Sequence, residues 1–539
     1  MGDLTAPAQR AQALGQLAER EWDLVVIGGG ITGAGVAQQA ARRGWSVLLL
    51  EQRDFAWGTS SRSSKLVHGG LRYLKEGDIR TTLHSVRERQ RLMTEAPELI
   101  EPQSFLFANC AGRKPGRWLF QTGLTVYDLM AGQRSHYWAN LSTAQTLAPG
   151  LKPRHMRGAL VFSDAKTDDA RLVWRVLMEA RRDGAVLLNY VAARGLQLAT
   201  GRVTGLDVED LDVTSGSGQR YAVRAKAVIN ATGAWADHLR AGVGARPMLR
   251  PLRGSHLVVP FWRLPVAQSI SLMHPRDGRP VFLYPWEGAT LIGTTDLDHR
   301  SDLNVEANIT PAEVDYLIEA VNDQFPATNL TATDVSACYA GVRPVVDDGK
   351  GDASQATRDH VVLDESGLIT LTGGKLTTFR LMAQDALALA APHVGKPFAR
   401  DDALMFTPTP PLNPRWSAAV RHRLAARYGY RGADLATDAT ETELQTIPGT
   451  HTLWLELAIA ARHEAVLHLD DLLLRRTRLG LLLPRGALDH LPRIRDLCEP
   501  HLQWSEARWA TEIARYQALI AAHYQLPSTQ HDPLRDPAP

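Results

Sequence analysis

Between Val25 and Glu51 the chain reads VVIGGGITGAGVAQQAARRGWSVLLLE, and this stretch limits the fold more than any other. Residues 24–27 (LVVI) have the continuous apolar character of a strand buried on both faces, 32–43 the pattern of a helix, and 46–50 (SVLLL) that of a second strand. Gly28, Gly30 and Gly33 fall at the turn between the first strand and the helix, in the spacing G-x-G-x-x-G. Each glycine has its own reason. Gly28 permits the tight turn, Gly30 lets the backbone approach a pyrophosphate, and Gly33 allows the helix to pack closely on the strand. The helix start then offers unpaired N–H groups and the positive end of its dipole to the phosphates. Glu51 closes the second strand, where a carboxylate takes ribose hydroxyls and disfavours a 2′-phosphate. The reading is a dinucleotide-binding β-α-β unit, and not one for NADP.

The choice between NAD and FAD rests on two later segments. Residues 58–70 (GTSSRSSKLVHGG) form a long loop rich in hydroxyls and backbone donors, with Thr59, Ser60, Ser64, Lys65, Leu66 and His68 as cofactor contacts. An extended FAD needs such contacts; an NAD domain has no use for them there. Gly373, Gly374, Lys375, Leu376 and Thr377 make a second glycine-rich helix start, whose N–H groups would face negative charge on a reduced ring. The strand 227–233 (AVINATG) ends in a third such turn and adds Ala231 and Gly233. FAD is therefore the expected cofactor.

The rest of the chain divides by pattern. Segments 255–260, 281–284 and 290–294 are short and β-rich, and read as a mostly antiparallel sheet. The strand-plus-glycine pattern returns at 227–233 and 368–374, so the dinucleotide domain is discontinuous. The fold class expected is α/β: a Rossmann-type FAD-binding domain over 23–406, with an inserted β-rich substrate domain at roughly 75–160 and 245–340. Residues 407–414 (TPTPPLNP) read as a linker, 415–525 as a C-terminal helical domain and 526–539 as a disordered tail. The first 22 residues precede the fingerprint as an extension, in which Ala8, Ala11, Leu14 and Leu17 suit one face of a helix.

Composition excludes some classes of function. Lys plus Arg number 60 against 58 for Asp plus Glu, which argues against nucleic-acid binding through bulk charge. The three cysteines, Cys110, Cys338 and Cys498, form no C-x-x-C pair, which argues against a disulfide framework and a zinc or iron–sulfur site; no metal is expected. So few thiols fit a cytoplasmic protein. No signal-peptide core stands in the first twenty residues, and no apolar run of spanning length is present.

Several segments together resemble the aerobic FAD-dependent glycerol-3-phosphate dehydrogenases, flavoproteins with the D-amino-acid-oxidase-like fold. They are TSSRSSKLVHGGLRYL (59–74), FSDAKTDDARLV (162–173), NATGAW (230–235), GSHLVVP (254–260), IGTTD (292–296), GVRP (341–344) and GGKLTTFR (373–380), followed by a helical stretch at 462–480. The resemblance implies oxidation of glycerol 3-phosphate to dihydroxyacetone phosphate, with hydride passing to FAD and electrons onward to membrane quinone. It implies a peripheral protein at the inner face of the cell membrane, and a homodimer is compatible with it. Alternatives with the same residues are an oxidase that passes electrons to oxygen, and an FAD-dependent oxidase of another small amino or hydroxy acid. The stretch 465–468 is less polar and aromatic than the resemblance leads one to expect.

A dianionic substrate needs fixed cations and a proton acceptor. Arg343, held beside Pro344, and Lys375, beside the second glycine turn, are the expected substrate-binding and catalytic cations. Arg72 and Tyr73 follow the cofactor loop and are expected against the substrate. His256, the candidate that titrates near neutrality, is the expected general base, with His68 assigned to the flavin. Asp168 and Asp169 read as a helix cap before Ala170, and Cys338 as an inert buried thiol. Finally, basic residues at 113–117 precede WLFQTGLTVYDLM (118–130), where Leu119, Phe120, Gly123, Tyr127 and Met130 share a helical face. That is the pattern of an interfacial helix or of an ordinary core-facing one.

Overall fold

The computed structural model describes residues 7–71, 74, 77–112, 116–152, 155–212, 218–347 and 360–527. Arg72, Tyr73, the basic residues Arg113 and Lys114, and nearly all of the expected tail lie outside these.

The first sheet is built from three separated parts of the chain. Its central strands, in spatial order, are Leu368–Gly373, Arg220–Asn230, Glu21–Ile27, Val47–Glu51 and Val186–Asn189, all parallel. His360–Glu365 pairs antiparallel at one edge. The hairpin Val191–Ala199/Arg202–Asp210 pairs with the outer half of Arg220–Asn230. Successive side chains point to opposite faces, and both faces are covered, so the central strand is apolar from Leu24 to Ile27. Leu24 and Val26 enter a core shared with the helices Ile31–Ala41, Asp169–Arg182 and Phe379–Val394, while Val25 and Ile27 enter a second core on the opposite face.

The N-terminal helix Pro7–Glu19 covers that opposite face. Leu14 and Leu17 are buried as expected, but Ala8 and Ala11 are exposed. The stripe is rotated because Arg10 turns inward, donating to the Asn189 carbonyl at 2.8 Å and to Asp210 at 2.6 Å.

The second sheet has ten strands among the described residues, lying between Leu66 and Lys166 and between Leu249 and Val346, against expected limits of roughly 75–160 and 245–340. It is antiparallel apart from one parallel pairing, Ser269–Met273 with Glu101–Cys110. Among the C-terminal helices Ala418–Tyr428, Leu455–His463, Leu491–Leu502 and Glu506–His523, the first two enclose a small core of their own around Leu424, Tyr428, Leu455 and Ile459. Leu469, Leu473, Trp509 and Tyr516 share a larger one with Phe105, Phe162, Tyr284 and Tyr339 of the second sheet. Five buried arginines of the C-terminal region then reach across to carboxylates elsewhere in the fold. Arg475 and Arg476 pair with Asp54, Arg427 and Arg478 with Asp168, and Arg423 with Glu287. Asp168 also caps the helix Asp169–Arg182, accepting from the Arg171 N–H at 3.3 Å.

Candidate active site

One cavity of about 1480 Å3 runs between the two sheets. Pockets for drug-sized ligands are about 300–1,000 Å3, so this one has room for an extended dinucleotide and a small second ligand. Its walls include Gly28, Gly30, Glu51, Thr59, Ser60, Ser64, Leu66, His68, Ala231, Gly233, Arg343, Gly374, Lys375, Leu376 and Thr377. These residues are scattered over about 350 positions of sequence and meet because the parallel strands of the first sheet deliver their C-terminal ends to one edge, facing the second sheet that carries Arg343.

The fingerprint has the geometry an FAD pyrophosphate requires. Gly28 has φ +114°, and a Cβ there would stand 2.4 Å from the Ala231 carbonyl oxygen. A Cβ on Gly33 would stand 1.9 Å from the Gly28 carbonyl oxygen, so only glycine lets the helix approach the turn. Gly33 thus shapes the turn without lining the cavity. Ser60 Oγ accepts from the Ile31 N–H at 3.0 Å, placing a hydroxyl at the helix start. Glu51 accepts from the Gly29 N–H at 2.7 Å and the Arg53 N–H at 2.8 Å. Burial raises its carboxyl above the ordinary value against these hydrogen bonds. Trp57 and Trp235, with ring centroids 5.9 Å apart, also line this arm. Both were missed in the sequence, where an isolated Trp carries no periodic signal.

The second glycine turn is sharper than a helix cap. Gly373 and Gly374 have φ +74° and +69°, and a Cβ on Gly374 would press on Met382. A 3-10 turn, Leu376–Thr378, follows, so the helix itself begins at Phe379. Thr377 Oγ1 donates to the His68 carbonyl at 3.1 Å, tying this turn to the cofactor loop. Lys375 Nζ lies 3.2 Å from Ser85 Oγ at the cavity wall.

The cationic wall lies on the second sheet. Arg343 donates to Asp296 at 3.0 Å and to Thr294 Oγ1 at 3.2 Å. Arg279 meets the other oxygen of Asp296 at 3.1 Å. All four residues line the cavity. A Cβ on Gly254 would stand 2.5 Å from the Arg343 guanidinium, so that glycine makes room for it. Arg279 was invisible in the sequence because it sits in a polar turn, RDGRP (276–280). Asp296 lay inside a quoted motif without a role.

Two expectations need correction. Lys65 does not face the cavity. Its ammonium is fully buried, 3.0 Å from Asp169 and 2.9 Å from the Ser61 carbonyl. Its backbone at φ +56° turns the side chain away from its neighbours Ser64 and Leu66. His256 does not titrate near neutrality. Burial first, then Arg343 and Lys65, push its imidazole well below the usual value. It stacks on Tyr339 at 4.7 Å, sits behind Ser64 and meets Ser64 Oγ through Nε2 at 2.9 Å. Its Nδ1 is buried without a partner among the described residues, which further disfavours the imidazolium. Cys338 is an inert thiol, with burial pushing it up to about 12.

The interfacial pattern also shifts. The helix Arg117–Ala131 buries Leu124 and Tyr127, and the Tyr127 hydroxyl donates to Asp164 at 2.8 Å. Its exposed apolar side chains are Trp118, Leu119, Val126 and Leu129, at 74, 73, 36 and 77% exposure. Leu119 and Val126 stand at the mouth of the cavity. The face that carries apolar groups outward is thus not the one centred on Tyr127. No described helix is long and apolar enough to cross a membrane.

Parallel sheet, glycine fingerprint, hydroxyl-rich loop and second glycine turn around one cavity define an FAD-dependent oxidoreductase. A family model described as FAD dependent oxidoreductase matches residues 23–380, and one described as the C-terminal domain of alpha-glycerophosphate oxidase matches residues 369–509. An aerobic glycerol-3-phosphate dehydrogenase of Staphylococcus aureus (strain MRSA252) is 34% identical over 522 residues, covering 90% of this chain and 92% of that protein. The crystal structure of the glycerol-3-phosphate dehydrogenase from Bacillus halodurans, complexed with FAD, superposes with a TM-score of 0.75 at 28% identity over 97% of both chains. Glycine oxidase from Geobacillus kaustophilus shares the fold, with a TM-score of 0.53 at 19% identity over 71% of this chain and 96% of its own. The chain belongs to the aerobic FAD-dependent glycerol-3-phosphate dehydrogenase family.

Proposed function

We propose that this protein oxidises glycerol 3-phosphate to dihydroxyacetone phosphate at bound FAD and passes the electrons to a membrane quinone. The observation that carries the substrate is the pair Arg343 and Arg279, both anchored on Asp296, on the wall of the cavity that holds the second glycine turn. Planar guanidiniums fixed by a shared carboxylate are preorganised for phosphate oxygens. FAD, when bound, supplies the two-electron acceptor.

The chain's own residues supply the rest. Arg343 and Arg279 hold the phosphate, and Lys375, which also lines the cavity, holds the hydroxyl oxygen of the substrate. Arg72 and Tyr73, four and five residues beyond His68 in sequence, keep the substrate-binding role proposed from the sequence alone. The proton of the secondary alcohol passes to the Ser64 hydroxyl and from it to neutral His256 at Nε2. His256 is thus a base reached through Ser64.

Two features support a quinone over oxygen. The mouth of the cavity is edged by the exposed apolar side of the helix Arg117–Ala131, a surface suited to the lipid boundary. Phe105, Phe107, Phe120, Phe162 and Phe282 line the arm behind it, with ring centroids 4.7–6.3 Å apart. A small dianion has no use for that arm; a flat apolar ring does.

The test is anaerobic. Glycerol 3-phosphate should bleach the flavin within one turnover. Bleaching by an amino or hydroxy acid, with none by glycerol 3-phosphate, would overturn the substrate. Stoichiometric hydrogen peroxide from enzyme without lipid or quinone would overturn the acceptor and leave the oxidase reading.

A further inference from the structure

The loop that faces the cofactor is held from behind by a cluster that never touches the cavity. Its hub is Asp169, fully buried. One carboxylate oxygen accepts from the Ser63 N–H at 3.0 Å and the Ser63 hydroxyl at 2.7 Å. The Lys65 ammonium lies 3.0 and 3.1 Å from its two oxygens. The Arg478 guanidinium, from the C-terminal region, pairs with the same carboxylate. Lys65 and Arg478 also converge on the Ser61 carbonyl, at 2.9 and 3.3 Å. Ser60, Ser63 and Ser64 line the cavity; Ser61, Lys65, Asp169 and Arg478 do not.

Arg478 is itself held in place. Its backbone is left-handed, with φ +65°, its Nε meets Asp168 at 3.0 Å and its NH1 donates to the Leu474 carbonyl at 2.7 Å. A residue that only neutralised buried charge would need none of the contacts to the loop. The contacts to Ser61 and, through Asp169, to Ser63 fix backbone at two points on either side of Arg62, within the segment that presents Ser60 and Ser64 to the cavity.

We infer that Arg478 is a positioning residue for the flavin-binding loop, acting through Asp169, and that the C-terminal helical region thereby sets how tightly and in what geometry FAD is held. The inference rests on FAD binding alone and is independent of which substrate is oxidised. The burial of Lys65, which lowers its ammonium to about 8, fits a cluster in which Arg478 is the lasting counter-charge of Asp169.

The full-length holoenzyme tests this with three variants. Arg478→Met should raise the FAD dissociation constant about tenfold or more and change the visible circular dichroism of the remaining bound flavin. Arg171→Met is the control. It breaks an equally buried pair, with Glu464, at the same interface but touches no loop residue. It should lower the melting temperature and leave the FAD dissociation constant within about twofold. Equal weakening of FAD by both, or native FAD binding and native dichroism in Arg478→Met, overturns the inference. Should Arg478→Met not accumulate as folded protein, Arg478→Lys carries the test. A single ammonium cannot serve Asp168, Asp169 and Ser61 together, so FAD binding should weaken about threefold, and native affinity would overturn the inference.

Discussion

At the scale of single residues, the site depends on atoms that are absent as much as on those present. A methyl group on Gly33 would collide with the Gly28 carbonyl, so Gly33→Ala should yield protein that purifies without flavin absorbance. Arg343→Ala removes charged hydrogen bonds worth roughly 1.5–3 kcal/mol, so the substrate KM should rise about 10- to 100-fold while FAD stays bound. Loss of FAD instead would move Arg343 into the cofactor site. His256 carries a prediction of opposite appearance to the one its residue type suggests. Burial and Arg343 depress its native value, so the unfolded chain takes up the proton first. Its share of stability is present above its ordinary value of about 6.5 and is lost as pH falls through the lower native value. The limb of the kcat/KM profile that His256→Gln abolishes should therefore lie well to the acid side of about pH 6.5, apart from the limb set by the substrate phosphate itself. A limb at that ordinary value, abolished in His256→Gln, would return the residue to a solvent-reached base.

At the scale of elements, the helix Arg117–Ala131 shows how far periodicity reads. Its amphipathic pattern was legible, but which side faces the core was not. Tyr127 is apolar enough to count toward a lipid face, yet its hydroxyl finds Asp164 and Arg89 inside the protein. A buried hydroxyl with two partners outweighs an exposed ring. The outward side is therefore Trp118, Leu119, Val126 and Leu129. Replacing Trp118 and Leu129 together with Ser should reduce co-sedimentation with anionic vesicles and slow quinone reduction, while flavin bleaching by substrate keeps its rate. Unchanged vesicle binding would remove this helix from the membrane reading. The N-terminal helix teaches the same lesson. An arginine turned inward toward Asp210 rotated the buried stripe away from Ala8 and Ala11.

At the scale of the whole molecule, the C-terminal helical domain has a small core of its own but is tied to the rest of the fold by a larger one. Its helices complete the core of the second sheet, and its arginines satisfy carboxylates of the FAD-binding part. Removing one partner of such a buried pair costs about 3–5 kcal/mol, because the other charge is stranded. Arg476→Ala leaves Arg475 on Asp54 and should lower stability by less than this, whereas replacing both arginines strands Asp54 and should cost that order in chemical denaturation. A chain ended at residue 406 should fail to accumulate as soluble holoprotein, and heat should unfold the intact protein in one cooperative transition. Two separated transitions would restore an independent C-terminal domain.

The sequence by itself determined the dinucleotide fingerprint, the return of the same pattern at 227–233 and 368–374, and hence the discontinuous FAD-binding fold. These are local rules: glycine at a crowded turn, apolar runs where both faces of a strand are covered, a carboxylate at a strand end. Only the tertiary structure decided the partners that distance in sequence conceals. It turned Lys65 from the cofactor to Asp169, placed His256 behind Ser64, and brought Arg279 and Arg343 to one carboxylate. A side chain's charge and shape are written in its own position. Its direction is set by which buried group elsewhere would otherwise be left unpaired.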